Sequence, residues 1–512
     1  MVSLGSEPVV IGLDVGTTAV KVMAFDIEGS TGVRAMAIRN CPLQQPRPGH
    51  QVVDPAALMI AVDEALSLCV RQIGDAPVLA ISISTAMHAL VGFDTEHRPV
   101  TPVITWADSR AADHAKQIRD GGRATELLHR TGTPVHSMSP LVKLGWLRRN
   151  EPELCDAVRW WGGIKELVVH HLTGTMLSEP SNASGYGLMD VSTLQWDPEA
   201  CELAGISTDQ LPEMVPVTTR LELNEPMAEA AGLPPRTTVV IGAADGPLGN
   251  LGTGAITPGV VGLSLGTSGA VRMPVTRPTF DDSGRLFCYS LTEDLWVTGG
   301  PVSNGGVAFD WAARTFAPDV LSGSDPGQAL EMAATAPLGA DGLVMVPYLL
   351  GERAPLWDAS LPGAFLGVRY GHARQHFLRA AVEGVCLQVA SIIDVLDTVA
   401  DVRSVRATGG PFRAQLWRNV MAAVVGRPFF VASDAGGTAL GAAALGAYAL
   451  GEAGSLPEAL TVLGGRVAGS DADEQPLSVS SSDLAGYAEV RRAMPALVRG
   501  YLAVADAWAG QG

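Results

Sequence analysis

IGLDVGTTAVKVM at residues 11–23 and VGLSLGTSGAVRM at residues 261–273 decide the fold. Laid over each other at a constant offset of 250, Gly12/Gly262, Leu13/Leu263, Gly16/Gly266, Thr17/Thr267 and Met23/Met273 coincide. Each copy reads as an apolar strand, a Gly-Thr-Thr or Gly-Thr-Ser turn and a second strand, which is a hairpin pattern. Repetition at half the chain length predicts two related domains, because a solenoid would repeat at a far shorter period.

Around the hairpins, strand and helix signals alternate. VLAISIS at 78–84, TTVVIGA at 237–243 and GLVMVPYL at 342–349 read as strands. Residues 55–73, 140–150 and 375–398 read as helices; in the last, Phe377, Ala381, Val385, Ile392 and Val395 recur at helical spacing. A mixed α/β protein with helices on sheet faces follows. The boundary is expected near 245–255, giving a first domain over 1–248 and a second over 249–512. The stretch 455–485, rich in Gly, Ser and Asp, reads as surface loop.

Bulk properties narrow the partners. The 512 residues exceed one ordinary core. Thirty-five basic against 53 acidic residues leave a net charge of −18, which disfavours a nucleic-acid partner. Cys41, Cys69, Cys155, Cys201, Cys288 and Cys386 contain no CxxC pair, so no zinc or disulfide framework is expected and a reducing cytoplasm fits. MVSLGSEPVV shows no basic region ahead of an apolar stretch, so no export signal is read there. The uncharged run Ala435 to Gly451 is dominated by Ala and Gly and reads as a tightly packed helix, not a membrane span.

The chemistry concentrates at strand ends. In DVGTTAVK (14–21), Gly16 permits close backbone approach, and turn N–H groups with the Thr17 and Thr18 hydroxyls can hold phosphate oxygens. Asp14 would hold Mg²⁺, an oxygen-seeking ion that keeps several waters. Lys21 could neutralise phosphate charge or point to solvent. GTSG (266–269) repeats the turn, with Gly266 and Thr267 at matching places and Ser264 where Asp14 stands, so only the first hairpin offers a metal ligand. Two such turns across a cleft would grip a triphosphate from both sides. VRATGGPF (405–412) ends a strand at Gly409-Gly410, where bare backbone could receive adenosine and the α-phosphate. TVVIGAADGPLGN (238–250) leaves Asp245 at a strand end, as a base for an alcohol proton or a cap for the next helix. AMHAL (86–90) brings Met87 and His88 after a strand. ITWADSRA (104–111) sets Trp106, Asp108 and Arg110 on alternate positions, which in an extended segment project to one side as a polyol-binding wall. His88 as a structural histidine and Asp108–Arg110 as an ordinary ion pair are the plain alternatives.

With these residues in view, the chain resembles the FGGY carbohydrate kinases over nearly its whole length. MSPLVKLGWLRRN (138–150) is similar to one family signature, with Pro140, Lys143 and Trp146 in place, and GAFLGVRYGHARQHFLRAAVE (363–383) to the other. The resemblance implies a two-domain actin-like ATPase fold with a ribonuclease H-like core in each half and an interdomain cleft. It implies ATP as phosphoryl donor, with Thr17, Thr18, Gly266 and Thr267 on phosphates and Gly306 and Gly410 near the nucleotide. Asp245 is implied as general base, Asp14 and Asp245 as the carboxylates near Mg²⁺, and His88, Trp106 and Asp108 near the substrate. Within the family, STAMHALVGFD, RTGTPVHSMSPL, IGAADGPLGNLG and GERAPLW are similar to gluconokinases, which implies D-gluconate as substrate; a xylulokinase-like or other polyol kinase is the alternative. An actin-like nucleotide switch would share the turns but lack a polyol site at 86–110. Arg110, Lys143, Lys165 and His136 are the cations that could face a substrate carboxylate, unless buried pairing occupies them. Two positions depart from the family pattern: Ala414, where a polar residue often meets adenine, and Ser303, where Asn is usual in gluconokinases. Dimers occur in the family, so a homodimer is possible, and no membrane partner is expected.

Overall fold

The computed structural model describes residues 7–27, 32–321, 325–432, 437–467 and 474–509. Two compact units emerge. The first comprises Met1–Pro258, Pro274–Thr298 and Ala435–Asp471; the second comprises Gly259–Met273, Gly299–Asp434 and Ala472–Gly512. This division by packing is not a single cut after residue 248, because the chain crosses between units several times.

In the first unit, strands β1 (Val9–Val15), β2 (Ala19–Asp26), β3 (Val33–Asn40), β4 (Val78–Thr85), β5 (Arg220–Glu222) and β6 (Thr238–Ala244) form one sheet in the order β5-β6-β4-β1-β2-β3. β1 pairs antiparallel with β2 and parallel with β4, and β4 pairs parallel with β6. Strand β1 shows why the sheet is covered on both faces. Val9, Ile11, Leu13 and Val15 join the core with Leu58, Val62 and Leu66 of helix Pro55–Ile73, whereas Val10 joins Ala439, Leu440 and Ala443 of helix Gly437–Leu450. The period of two sends alternate residues to opposite faces. Each fully buried Val or Leu contributes about 1.5–3 kcal/mol.

The run read as a tight helix is one from Gly437 to Leu450, buried around most of its circumference; residues 435–436 lie outside the described residues. Among the described residues no helix is long and apolar enough to cross a membrane. Side chains that are mostly Ala let this helix lie close to the sheet. The loop expected over 455–485 is interrupted by helix Leu456–Val462, started by Ser455, whose hydroxyl accepts the Glu458 N–H, and anchored by buried Leu456, Ala459 and Leu460. Residues 468–473 of that stretch lie outside the described residues, and a long helix, Ser481–Ala509, begins before the stretch ends. Likewise, 342–349 holds only a three-residue strand, Val344–Val346.

Strands β7 (Val260–Leu265), β8 (Gly269–Val275), β9 (Phe287–Ser290), β10 (Trp296–Val302), β11 (Ser404–Thr408) and β12 (Phe429–Val431) form a second sheet in the order β9-β10-β8-β7-β11-β12. The orders β3-β2-β1-β4-β6 and β10-β8-β7-β11-β12 are the same arrangement twice, with the two hairpin strands antiparallel to each other and the strands that follow β1 and β7 in each order parallel. The sequence echo therefore marks one fold made twice. It is out of step in one respect. The first hairpin closes at Val15/Val20 and the second at Leu265/Gly269, one residue tighter. Met23 pairs with Gly12, but Arg272, not Met273, pairs with Gly262. Met23 and Met273 coincide in the alignment and occupy different places in the hairpins.

Candidate active site

Asp14 and Asp245 come together at the carboxyl ends of parallel strands. Asp14 is the penultimate residue of β1 and lies in register with Ser84 of β4; Ala244, the last residue of β6, is in register with Thr85. Asp245 follows immediately as the first residue of helix Asp245–Gly252. Two strand spacings, about 10 Å, thus separate the two acidic positions along the sheet. The Ser84 hydroxyl donates to Asp14 Oδ1 at 3.0 Å. Asp245 Oδ1 accepts the N–H of Met87 at 3.3 Å and of Gly246 at 2.7 Å. Burial, and next the neighbouring Asp245 carboxylate, push Asp14 up to about 6, while the Ser84 hydrogen bond and Lys21 pull the other way. Lys21 is directly opposite Asp14 across the hairpin. Its charge is felt by Asp14, so it is not merely a solvent-facing residue.

The donor set fits a divalent cation of the Mg²⁺ kind. Among the described residues no cluster of three or more His, Cys, Asp or Glu could form a protein cage. Mg²⁺ needs none, since one or two carboxylates with waters and substrate phosphates suffice. A cation beside Asp14 would also offset the burial and the Asp245 repulsion that together raise its pKa.

The strand ends are held by groups that sequence patterning leaves unassigned. Lys165, fully buried in helix Ile164–Thr173, donates to the carbonyls of Ile83, Ile241 and Ala243 at 3.0, 2.7 and 3.2 Å and lies 3.5 Å from Glu179. The β4/β6 register shifts between Val240 and Ala243, and the lysine serves carbonyls at that irregularity. Glu179 accepts the N–H groups of Ser181 and Asn182 at the start of the short helix Pro180–Ser184. That helix steadies the strand ends in turn: Thr85 donates to Asn182 Oδ1, and Ser181 Oγ accepts the Ala244 N–H.

His88 adopts a left-handed backbone, φ 62°, uncommon outside glycine. Its Nδ1 lies 2.6 Å from the Gly185 carbonyl, so Nδ1 carries a proton; Nε2 lies 3.4 Å from the Tyr289 hydroxyl. Lys143 Nζ donates to the carbonyls of His88 and Thr105, both at 2.7 Å, and burial lowers its pKa to about 7. Met87, the residue preceding His88, is buried.

Trp106, Asp108 and Arg110 do not form one row. Residues 105–108 turn, with the Asp108 N–H on the Thr105 carbonyl, so alternation along an extended strand is lost. Trp106 is 37% exposed, while Asp108 is fully buried, bonded by the Arg110 guanidinium at 2.9 Å twice and by the Gln51 N–H at 2.8 Å. The ion pair is internal, not superficial. Of the four cations considered for a substrate carboxylate, Lys165, Lys143 and Arg110 are therefore committed to internal partners. The fourth, His136, accepts the Met138 N–H on Nδ1.

The second unit brings together most of the residues read as nucleotide contacts. Gly266, Thr267, Gly306, Gly410 and Ala414 line a cavity of about 650 Å³. Gly306 begins helix Gly306–Phe316, and its N–H bonds the Gly266 carbonyl at 2.7 Å. Gly409, which precedes the turn Gly410–Arg413, does not line the cavity but shapes it: at φ 120° it takes a conformation that side chains resist, and a Cβ there would lie 1.9 Å from the Leu265 carbonyl oxygen. Thr17 and Thr18 occupy the matching turn of the first unit, where Gly16 N–H closes onto the Ala19 carbonyl at 3.0 Å. Sequence reasoning missed Arg413, Asp325 and Phe309, which also line the cavity. Nothing in local periodicity distinguishes them.

A duplicated sheet with a phosphate-type turn in each copy, an acidic pair at strand ends and a nucleotide-sized cavity defines an actin-like phosphotransferase. Residues 9–252 match the N-terminal domain, and residues 261–450 the C-terminal domain, of the FGGY family of carbohydrate kinases. The chain belongs to that family and is a carbohydrate kinase. It is 38% identical over 421 residues to a gluconokinase of Bacillus licheniformis, covering 80% of this chain and 82% of that one. It is 30% identical over 454 residues to a xylulose kinase of Bacillus subtilis, covering 88% and 90%. The fold matches the crystal structure of gluconate kinase from Lactobacillus acidophilus with a TM-score of 0.89 and 31% identity, covering 97% and 99%.

Proposed function

We infer that the protein is a gluconokinase, transferring the γ-phosphoryl group of ATP to the terminal hydroxyl of D-gluconate to give 6-phosphogluconate and ADP. The carrying observation is the Asp245 carboxylate at the end of β6, fixed by the Met87 and Gly246 N–H groups and electrostatically coupled to Asp14. Higher identity to gluconokinase than to xylulose kinase supports the choice of sugar.

In this reading Asp245 accepts the proton of the attacking hydroxyl, the carboxylate role in kinases acting on alcohols. Asp14, and Asp245 beside it, would hold Mg²⁺, which supplies charge neutralisation on the phosphates when bound. Thr17, Thr18 and Lys21 serve phosphate oxygens from the first unit; Gly266, Thr267, Gly306, Gly409 and Gly410 hold the nucleotide from the second. Met87, His88 and Trp106 face the sugar, with His88 oriented by Gly185 and Lys143. The Asp108–Arg110 pair shapes that wall; as a contact it would have to offer the sugar what the internal pairing leaves over. A cytoplasmic location remains part of this reading, and a homodimer is testable by light scattering.

A second reading, a xylulokinase-like enzyme, is favoured by one observation: the internal commitment of Lys165, Lys143 and Arg110 suits a neutral polyol. A coupled assay across gluconate, xylulose, ribulose, fuculose and glycerol decides. Gluconate should give a kcat/KM at least about 100-fold above the others, a difference of ~2.7 kcal/mol in transition-state binding. A preference for xylulose would overturn the gluconate reading and leave the kinase reading intact.

A further inference from the structure

We propose that Glu352 is a positioning residue for the nucleotide turn Gly266–Thr267, acting through the segment 302–306. The proposal rests on the reading of that turn as a phosphate contact.

Glu352 is 1% exposed and has no part in the proposed phosphoryl transfer. One carboxylate oxygen, Oε1, accepts the N–H of Ser303 at 2.7 Å and of Arg353 at 2.8 Å; the other accepts Asn304 Nδ2 at 3.4 Å. Asn304, fully buried, donates to the Gly351 carbonyl at 2.7 Å and accepts the Leu350 N–H at 3.1 Å. Arg353 closes the lattice with the Val302 carbonyl at 2.8 Å and the Ser303 hydroxyl at 3.3 Å. The chain at 302–304 is thereby clamped to the loop 350–353.

Residues 305–307, next along the chain, touch the turn. Gly305 N–H bonds the Thr267 carbonyl at 3.0 Å, Gly306 N–H the Gly266 carbonyl at 2.7 Å and Val307 N–H the Thr267 carbonyl at 3.3 Å. The approach is so close that a Cβ on Gly305 would lie 2.6 Å from the Gly266 oxygen. A small displacement of 302–304 therefore moves the turn that lines the cavity. A buried carboxyl group that accepts three donors holds them in place, and its removal would leave those buried donors unsatisfied, which is costly. Burial raises the Glu352 pKa, and the two backbone N–H groups oppose that shift. The group thus acts as an acceptor of backbone donors, and an amide oxygen can replace it in part.

The test is ADP binding by calorimetry together with KM for ATP and for the sugar, on Glu352→Ala, Glu352→Gln, Asn304→Ala and Thr267→Val. Glu352→Ala should weaken ADP and raise KM for ATP by about 30-fold, as expected from leaving buried donors unsatisfied. The sugar KM should change by less than about 3-fold, and Glu352→Gln should recover most of the loss. Should the Ala variant fail to fold, Asn304→Ala attacks the same clamp from its other side and should weaken ADP by about 10-fold. A nucleotide loss in Thr267→Val without one in the Glu352 and Asn304 variants overturns the positioning role alone. No loss in any variant overturns the phosphate reading of the turn, and this proposal with it. Equal increases in both KM values, or a Gln variant as weak as Ala, would mark Glu352 as a general structural residue and overturn the proposal.

Discussion

Asp14 bears a cost that function explains. Its pKa, raised to about 6 from an ordinary 3.8, means the folded protein binds that proton more tightly than the unfolded chain. The charged carboxylate therefore destabilises the fold above pH 6, and this cost disappears as the pH falls from about 6 towards 3.8. Asp14→Asn should raise thermal stability at pH 8 by about 1–3 kcal/mol, with the gain shrinking below pH 6, and should abolish turnover. Calorimetric scans of both proteins at pH 5 and pH 8 check the sign; a mutant less stable at pH 8 would refute it. Asp245 carries a separate expectation. Asp245→Ala should lower kcat by about 10²–10⁴ while ADP binding is retained, since the cavity proposed to take most of the nucleotide is lined by residues of the second unit, not by Asp245. Substantial residual turnover would remove it as the base.

At the level of elements, the strand ends depend on one buried cation. Lys165 serves three carbonyls and faces Glu179, so Lys165→Met removes the donor to three buried carbonyls and leaves the Glu179 carboxylate without its cation. The loss should be about 3–5 kcal/mol, measured by urea unfolding of the first unit. A change under about 1 kcal/mol would show that those carbonyls find other partners. Gly409 tests the second unit in the same way. Gly409→Ala should cost about 1–3 kcal/mol of strain and weaken ADP, because its Cβ would press on β7. Unchanged ADP affinity would show that this glycine does not shape the cavity.

For the whole molecule, the two compact units should unfold in two calorimetric transitions. ADP at 100 times its Kd should raise the transition of the second unit by about 2.7 kcal/mol, and gluconate should act first on the other. A single transition moved equally by either ligand would show that the two sites are not energetically distinct.

Local sequence determined a great deal here. The echo at offset 250, the helices over 55–73 and 140–150, and the strand-end placement of Asp14 and Asp245 follow from periodicity and turn chemistry, which act within a few residues. Distances along the chain hid the rest. Only folding brings Tyr289 to His88, Lys165 to the carbonyls of β4 and β6, and Glu352 to Ser303, because each pair is separated by scores of residues and no local pattern links them. The wall expected from Trp106, Asp108 and Arg110 failed for a related reason. A turn replaced the extended segment, and a buried carboxylate took the nearest guanidinium instead of remaining open to a sugar. Residue type announces that a cation or a carboxylate is present; burial and packing decide whether it is already spoken for.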